Sequence, residues 1–197
     1  MSNTTYEQLA EAVNAASILG PPKLRVMHSL LAEVLRIGVP GASAEVGCYR
    51  GGTSLLIASM LPDAKLYVYD TFTGLPASGI YDTHQIGDFG DTELNAVLEV
   101  LKSQQHHIEM CVGNFPDTAQ HVPDQKYAFV HCDGDQYQVT VDFLDYFYHR
   151  MSVGGVMVFD DYYWPHCPGV AMAVNEFFIG KENVQVRQEF QAFIIKE

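Results

Sequence analysis

Positive charge is scarce in this chain: 11 of its 197 residues are Lys or Arg against 24 Asp or Glu, a formal net charge of −13. A general nucleic-acid or anionic-membrane surface needs basic patches, so the balance argues against both partner classes and reads as a solubility feature. Cysteine is also sparse. Cys48, Cys111, Cys132 and Cys167 form no C-x-x-C pair, which argues against a disulfide frame or a zinc site and for buried thiols in a reducing compartment. No apolar run approaches the length of a membrane span. The first 16 residues lack the basic-then-apolar order of a signal peptide, so a cytoplasmic location is expected. There is no internal repeat, low-complexity segment or linker. A chain of this length holds one well-buried domain and is too short for two full ones.

The stretch from Phe129 to Asp161 is what the rest is organised around. Two short apolar runs, Phe129 to Cys132 and Val156 to Phe159, read as buried strands. Each ends in acid: Asp133-Gly134-Asp135 follows the first and Asp160-Asp161 the second. Between them Val139, Phe143 and Phe147 recur every four residues, the period of a helix packed on a sheet. A crossover helix makes its strands parallel, so both acidic ends emerge at one carboxyl edge, where open α/β sheets place their ligands. The alternative role for any single Asp is to cap the helix that follows it. Together, four like charges require a cation, a shared proton or a cationic ligand among them. Oxygen-only donors point to a hard ion such as magnesium, manganese or calcium.

Elsewhere the pattern alternates strand and helix. Residues 1–40 are expected to form an N-terminal helical arm, loosely ordered up to Pro22, and then a helix with Met27, Leu30, Leu31, Val34 and Leu35 inward, stopped by Gly38-Val39-Pro40-Gly41. Ser43 to Gly47 reads as a strand, Cys48 to Gly52 as a glycine turn, and Leu55, Leu56 and Met60 as a helix. Leu66 to Tyr69 is a strand ending at Asp70. Thr71 to Gly90 is too long for a simple connection and reads as a lid. A helix over Thr92 to Ser103 and a strand over Ile108 to Val112 follow. Beyond Asp161 come a helix through Val170, Val174, Phe177 and Phe178 and two final strands, Val184 to Val186 and Phe190 to Ile195. His84, His166 and the aromatic run Tyr162-Tyr163-Trp164 lie in expected site loops, where the tyrosines and tryptophan can stack on a sugar ring or simply cover the sheet edge. His106 and His107 are expected at the surface.

The glycine turn is not a dinucleotide fingerprint. Gly47, Gly51 and Gly52 are spaced G-x-x-x-G-G, where a dehydrogenase shows G-x-G-x-x-G, and no Walker lysine follows. Asp70, at the end of the second strand, stands where an acid can accept hydrogen bonds from a ribose. A cofactor with a nucleoside and no phosphates is therefore expected, and S-adenosylmethionine fits.

Five motifs carry a family resemblance. Glu45-Val46-Gly47-Cys48-Tyr49-Arg50-Gly51-Gly52, Tyr69-Asp70-Thr71-Phe72-Thr73-Gly74-Leu75-Pro76, Gly113 to Thr118, His131 to Tyr137 and Gly154 to Tyr162 resemble, in order, those of the macrocin O-methyltransferases of the TylF/MycF type. The resemblance implies a Rossmann-like class I methyltransferase fold, a seven-stranded and mostly parallel sheet with an antiparallel C-terminal strand and helices on both faces. It implies an S-adenosylmethionine- and magnesium-dependent enzyme acting on a hydroxyl of a sugar or glycosylated natural product. Asp133, Asp160 and Asp161 would hold the metal, with Asp135 as general base beside Asp133. Glu45, Gly47, Tyr49, Gly51 and Thr53 would meet the methionine end of the cofactor and Asp70 its ribose. Thr71, Phe72, Asn114 and Phe115 would lie near adenine. Better-known members are longer before the first strand, so a different acceptor, or a second subunit that closes the site in a homo-oligomer, is left open. The competing readings are a glycosyltransferase using Asp133-Gly134-Asp135 as its metal motif, and a non-catalytic S-adenosylmethionine-binding protein.

Overall fold

The computed structural model describes residues 4–187 and 190–197, so the first three residues of the expected arm lie outside it. The first half of the chain forms α1 (Tyr6–Ala16), α2 (Pro21–Ile37), β1 (Ala42–Val46), α3 (Gly52–Met60), β2 (Leu66–Asp70), α4 (Leu94–Leu101) and β3 (Ile108–Val112). The second half forms β4 (Tyr127–Cys132), α5 (Tyr137–Phe147), β5 (Met151–Phe159), α6 (Pro168–Phe177), β6 (Gln185–Arg187) and β7 (Gln191–Ile195).

The strands make one seven-stranded sheet in the order β3-β2-β1-β4-β5-β7-β6. Strands β1 to β5 run parallel, and β7 is antiparallel to both β5 and β6. One core lies on each face, the first packed by α1 to α4 and the second by α5 and α6. Covering both faces buries every residue of β1 and β4; β4 accordingly reads as a near-continuous apolar run, whereas β1 carries the buried polar residues Ser43 and Glu45. The strand order reverses between β1 and β4. A crevice therefore opens outside their carboxyl ends, and that is where the site forms.

Helix α2 shows how local sequence sets the boundaries. Pro21 occupies its first position, and Gly38 stops it in the left-handed region at φ 67° with its N–H donated to the Val34 and Leu35 carbonyls; both choices suit those positions. The N-terminal arm is better ordered than the weak pattern suggested. Tyr6, Val13 and Ala16 are buried, and the end of α1 rests on the start of α3. Gly52 permits that contact, since a Cβ there would lie 2.6 Å from Ser17.

Residues 71–90 contain no helix or strand, yet they are fastened. Leu75 donates its N–H to the Asp88 carbonyl at 2.9 Å, and Gly87 donates to the Leu75 carbonyl at 3.0 Å. Asp82 accepts the N–H of Tyr137 at the start of α5 (2.9 Å), and the Tyr81 and Tyr137 rings lie 5.1 Å apart.

Two smaller expectations are corrected. His107 is buried rather than superficial, with Nε2 3.3 Å from the Ala58 carbonyl. Among the cysteines, all free, Cys167 is buried with Cys48 and Cys132, whereas Cys111 on the edge strand β3 is half-exposed.

Candidate active site

A cavity of about 410 Å3 opens at the carboxyl ends of β1, β2, β4 and β5, within the usual size range of small-molecule sites. At one end is the glycine turn. Gly47 has φ +85°, and a Cβ on it would run into the Asp133 carbonyl, so close approach of β1 and β4 at the switch point requires glycine there. Gly47→Ala is accordingly expected to cost about 2–4 kcal/mol from strain and overlap. A thermal melt within about 2 °C of wild type would contradict the tight approach.

Asp70 holds this turn in place. Its Oδ2 accepts the N–H groups of Cys48 (2.9 Å) and Tyr49 (3.0 Å), and its Oδ1 accepts that of Phe72 (2.8 Å). The carboxylate therefore has a structural task in addition to lining the cavity. Tyr49 and Phe72, at φ 47° and 53°, are held in the left-handed region by this arrangement.

The sequence-predicted residues divide. Gly47, Tyr49, Thr53, Asp70, Thr71, Asn114, Phe115 and Asp133 line the cavity, whereas Glu45, Gly51 and Phe72 do not. Gly51 shapes the turn from behind at φ +83°, and Phe72 packs against the core on the α1 to α4 side. Glu45 is fully buried in β1. Its Oε1 lies 2.8 Å from His131 Nδ1, and its Oε2 accepts the Ser54 hydroxyl. Side chains alternate faces along a strand, and at this position both carboxylate oxygens are already engaged within the core. The Phe115 ring lines the cavity from a core position, stacked on Phe147 at 5.7 Å.

At the other end stand the acids. Asp133, Asp135 and Asp161 each offer an oxygen, and these lie within 4.8 Å of one another. Asp135 and Asp161 adopt φ 59° and 55°, a conformation that costs other side chains more than Asp and is typical of strained functional sites. Asp160 is held differently. Its Oδ1 accepts the Gln191 amide at 2.9 Å, and its Oδ2 lies 2.6 Å from the Lys23 ammonium, which also reaches Asp161 Oδ1 at 2.9 Å. The resemblance groups Asp160 with Asp133 and Asp161; the structure brings oxygens of Asp133, Asp135 and Asp161 within 4.8 Å of one another and pairs Asp160 with Lys23.

Burial first, then the neighbouring aspartates, pushes the Asp133 carboxyl well above its usual range. Burial, followed by the charge of Asp161, raises Asp135 to about 8. Burial raises Asp160 too, against the opposing pull of Lys23. The cluster cannot be fully ionised without more positive charge, and its donors are hard oxygens, so the residues present fit a hard divalent cation.

Lys23 was missed in the sequence. The signal was available: a lysine in the first turn of a helix opposes the helix dipole, where acids are preferred. The arm residues Ser17 to Gly20 and Phe190 were likewise not assigned to the cavity they line; Trp164, expected in a site loop, lines it 4.8 Å from Phe190, whereas Tyr162 and Tyr163 do not. His84, from the lid, and Asp135 also line it; His166 does not.

A sheet of this order, with a glycine turn after β1, an acid closing β2 and acids after β4 and β5, defines a class I methyltransferase. The solved O-methyltransferase NovP has the same fold, with a TM-score of 0.82 and 24% identity, covering 92% of this chain and 82% of that one. The chain belongs to the macrocin-O-methyltransferase (TylF) family, whose model matches residues 9–191. It is 30% identical over 185 residues to demethyldecarbamoylnovobiocin O-methyltransferase of Streptomyces niveus, covering 83% of this chain and 68% of the relative. It is also 30% identical over 165 residues to 8-demethyl-8-(2,3-dimethoxy-alpha-L-rhamnosyl)-tetracenomycin-C 4'-O-methyltransferase of Streptomyces olivaceus, covering 75% of this chain and 63% of that relative. The protein is an S-adenosylmethionine-dependent O-methyltransferase. The glycosyltransferase and non-catalytic readings fall with that membership. Among the described residues no helix is long and apolar enough to cross a membrane.

Proposed function

We propose that this enzyme methylates a hydroxyl of a sugar or glycosylated small molecule, with magnesium held by Asp133, Asp160 and Asp161 and the proton taken by Asp135. The observation that carries the reading is the meeting of the aspartates after β4 and β5 with the glycine turn and Asp70 in one cavity. A rhamnosyl group in the name of the tetracenomycin relative supports a sugar acceptor.

The chemistry divides among named groups. A sugar hydroxyl is a poor nucleophile near neutral pH, so its proton must leave as the oxygen attacks. Asp135 stands at the acidic end of the cavity to receive it. Magnesium, when bound, supplies Lewis-acid stabilisation of negative charge on the acceptor oxygen. Asp70 and the turn after Gly47 position the nucleoside and amino-acid ends of the cofactor, and the carboxylates attract its sulfonium. Trp164, Phe190 and the arm residue Ile18 give the cavity apolar lining suited to the face of a ring.

The test is transfer of labelled methyl from S-adenosylmethionine to a deoxysugar glycoside and to its matching aglycone, with and without excess chelator. Label on the glycoside, abolished by chelation and restored by magnesium, is expected. Label on the aglycone alone overturns the sugar assignment. Undiminished transfer in chelator removes the metal.

A further inference from the structure

We propose that Lys23 is the resident counter-ion of the Asp160–Asp161 pair and competes with the divalent cation for it, giving up the pair when the metal binds. This rests on the metal reading above.

Lys23 Nζ bridges the two carboxylates, 2.6 Å from Asp160 Oδ2 and 2.9 Å from Asp161 Oδ1. Among the described residues it is the cation that forms ion pairs within the acid cluster, with Asp160 and Asp161 and not with Asp133 or Asp135. The second oxygen of Asp160 is engaged by Gln191 Nε2 at 2.9 Å, so both oxygens of that carboxylate already accept a hydrogen bond while the ammonium is in place. A hard cation binds carboxylate oxygen at about 2 Å. An ammonium and a metal on the same oxygen would stand a few ångströms apart, and two cations that close repel strongly in a buried site. One of them must leave.

Lysine is suited to leaving. Its charge sits on a flexible four-carbon stem, it makes no fixed planar fork with a carboxylate, and here its side chain is still 13% exposed, which gives it a path to solvent. The position is not set by helix preference, because a cation in the first turn of α2 opposes the helix dipole. What holds Lys23 there is the acid pair. Without this residue the metal-free enzyme would carry Asp160 buried with, among the described residues, the Gln191 amide as its side-chain hydrogen-bond partner, an arrangement that is costly unless the charge is paired. Lys23 therefore keeps the empty cluster folded and, by the same contacts, weakens apparent metal affinity, since any group that stabilises the metal-free state must be displaced.

The experiment is a manganese titration of the full chain, following free ion by electron paramagnetic resonance, with paired thermal melts in chelator and in magnesium. Lys23→Met is expected to bind manganese about tenfold more tightly or better, from the relief of repulsion. Its Tm in chelator should fall below wild type, and magnesium should raise it by more than it raises the wild type. Lys23→Gln, which keeps an amide donor for Asp160, should shift in the same direction and serves where Lys23→Met does not fold in chelator. Manganese affinity unchanged or weakened in a folded variant overturns the proposal alone. Failure of both variants to fold with magnesium present overturns it too, because an exchangeable cation must be replaceable. Absence of manganese binding in all three proteins, with S-adenosylhomocysteine still bound, overturns the metal reading and this inference with it.

Discussion

Asp135→Asn is expected to lower kcat by about 10²–10⁴-fold, the usual contribution of a positioned general base, with S-adenosylhomocysteine still bound. The substitution is nearly isosteric and removes the one property a base needs, an oxygen that accepts a proton. The surroundings match that task. Asp135 follows β4 in a left-handed conformation, with the Cys167 thiol 3.3 Å from its Oδ1. Burial and Asp161 raise its carboxyl to about 8, the range in which a group gives and takes protons near neutral pH.

The same variant separates two roles. Asp135 also lies within ligand distance of Asp133 and Asp161. If it serves as the base, manganese affinity survives Asp135→Asn while turnover collapses. If it is a metal ligand, affinity and turnover fall together, and the role of base passes elsewhere. A loss in kcat of less than about threefold would exclude both.

Glu45→Ala is expected to be the most destabilising single change in the site region, at about 3–5 kcal/mol. In a domain of this size that is a fall in Tm of roughly 10 °C. Glu45 is fully buried and joins His131 on the neighbouring strand β4 to Ser54 on α3. Truncation would strand both partners. His131 Nε2 already lacks a partner among the described residues, and a void would open in the core beneath the glycine turn. Glu45→Gln keeps the shape and part of the hydrogen bonding, so it should cost less than half as much.

Cofactor binding in Glu45→Gln then decides the role the resemblance gave this residue. An acid that touches the methionine end of the cofactor would lose S-adenosylhomocysteine affinity by about tenfold or more when its charge is removed. A carboxylate whose two oxygens are spent on Ser54 and His131 would lose little. The structure favours the second outcome, because Glu45 is absent from the cavity wall.

Most elements were legible because their signals are local. Val139, Phe143 and Phe147 mark one face of α5, and the continuous apolar runs of β4 and β5 mark strands covered on both sides. Gly38 ended α2 for a backbone reason that depends on no distant residue. The arm was harder. Helix α1 carries only two large aliphatic residues, Leu9 and Val13, and its burial depends on α3 offering Gly52 as a seat. The lid shows the same limit: its length was readable, but its fastening to Tyr137 through Asp82 pairs residues 55 positions apart.

By itself the sequence determined the alternation of strand and helix, the convergence of four aspartates at one sheet edge, and the absence of a phosphate-binding turn. Each follows from residue type, short-range spacing and the handedness of crossovers. It also determined that those aspartates need positive charge among them, since like charges repel wherever the chain goes. Which group supplies that charge was a matter for the tertiary structure. Lys23 lies 137 residues from Asp160, and no local pattern joins them. The tertiary structure likewise turned Glu45 inward to Ser54 and His131 and engaged Asp70 with the backbone of the glycine turn, because hydrogen-bond partners are chosen by distance in space and burial penalises any polar group left without one.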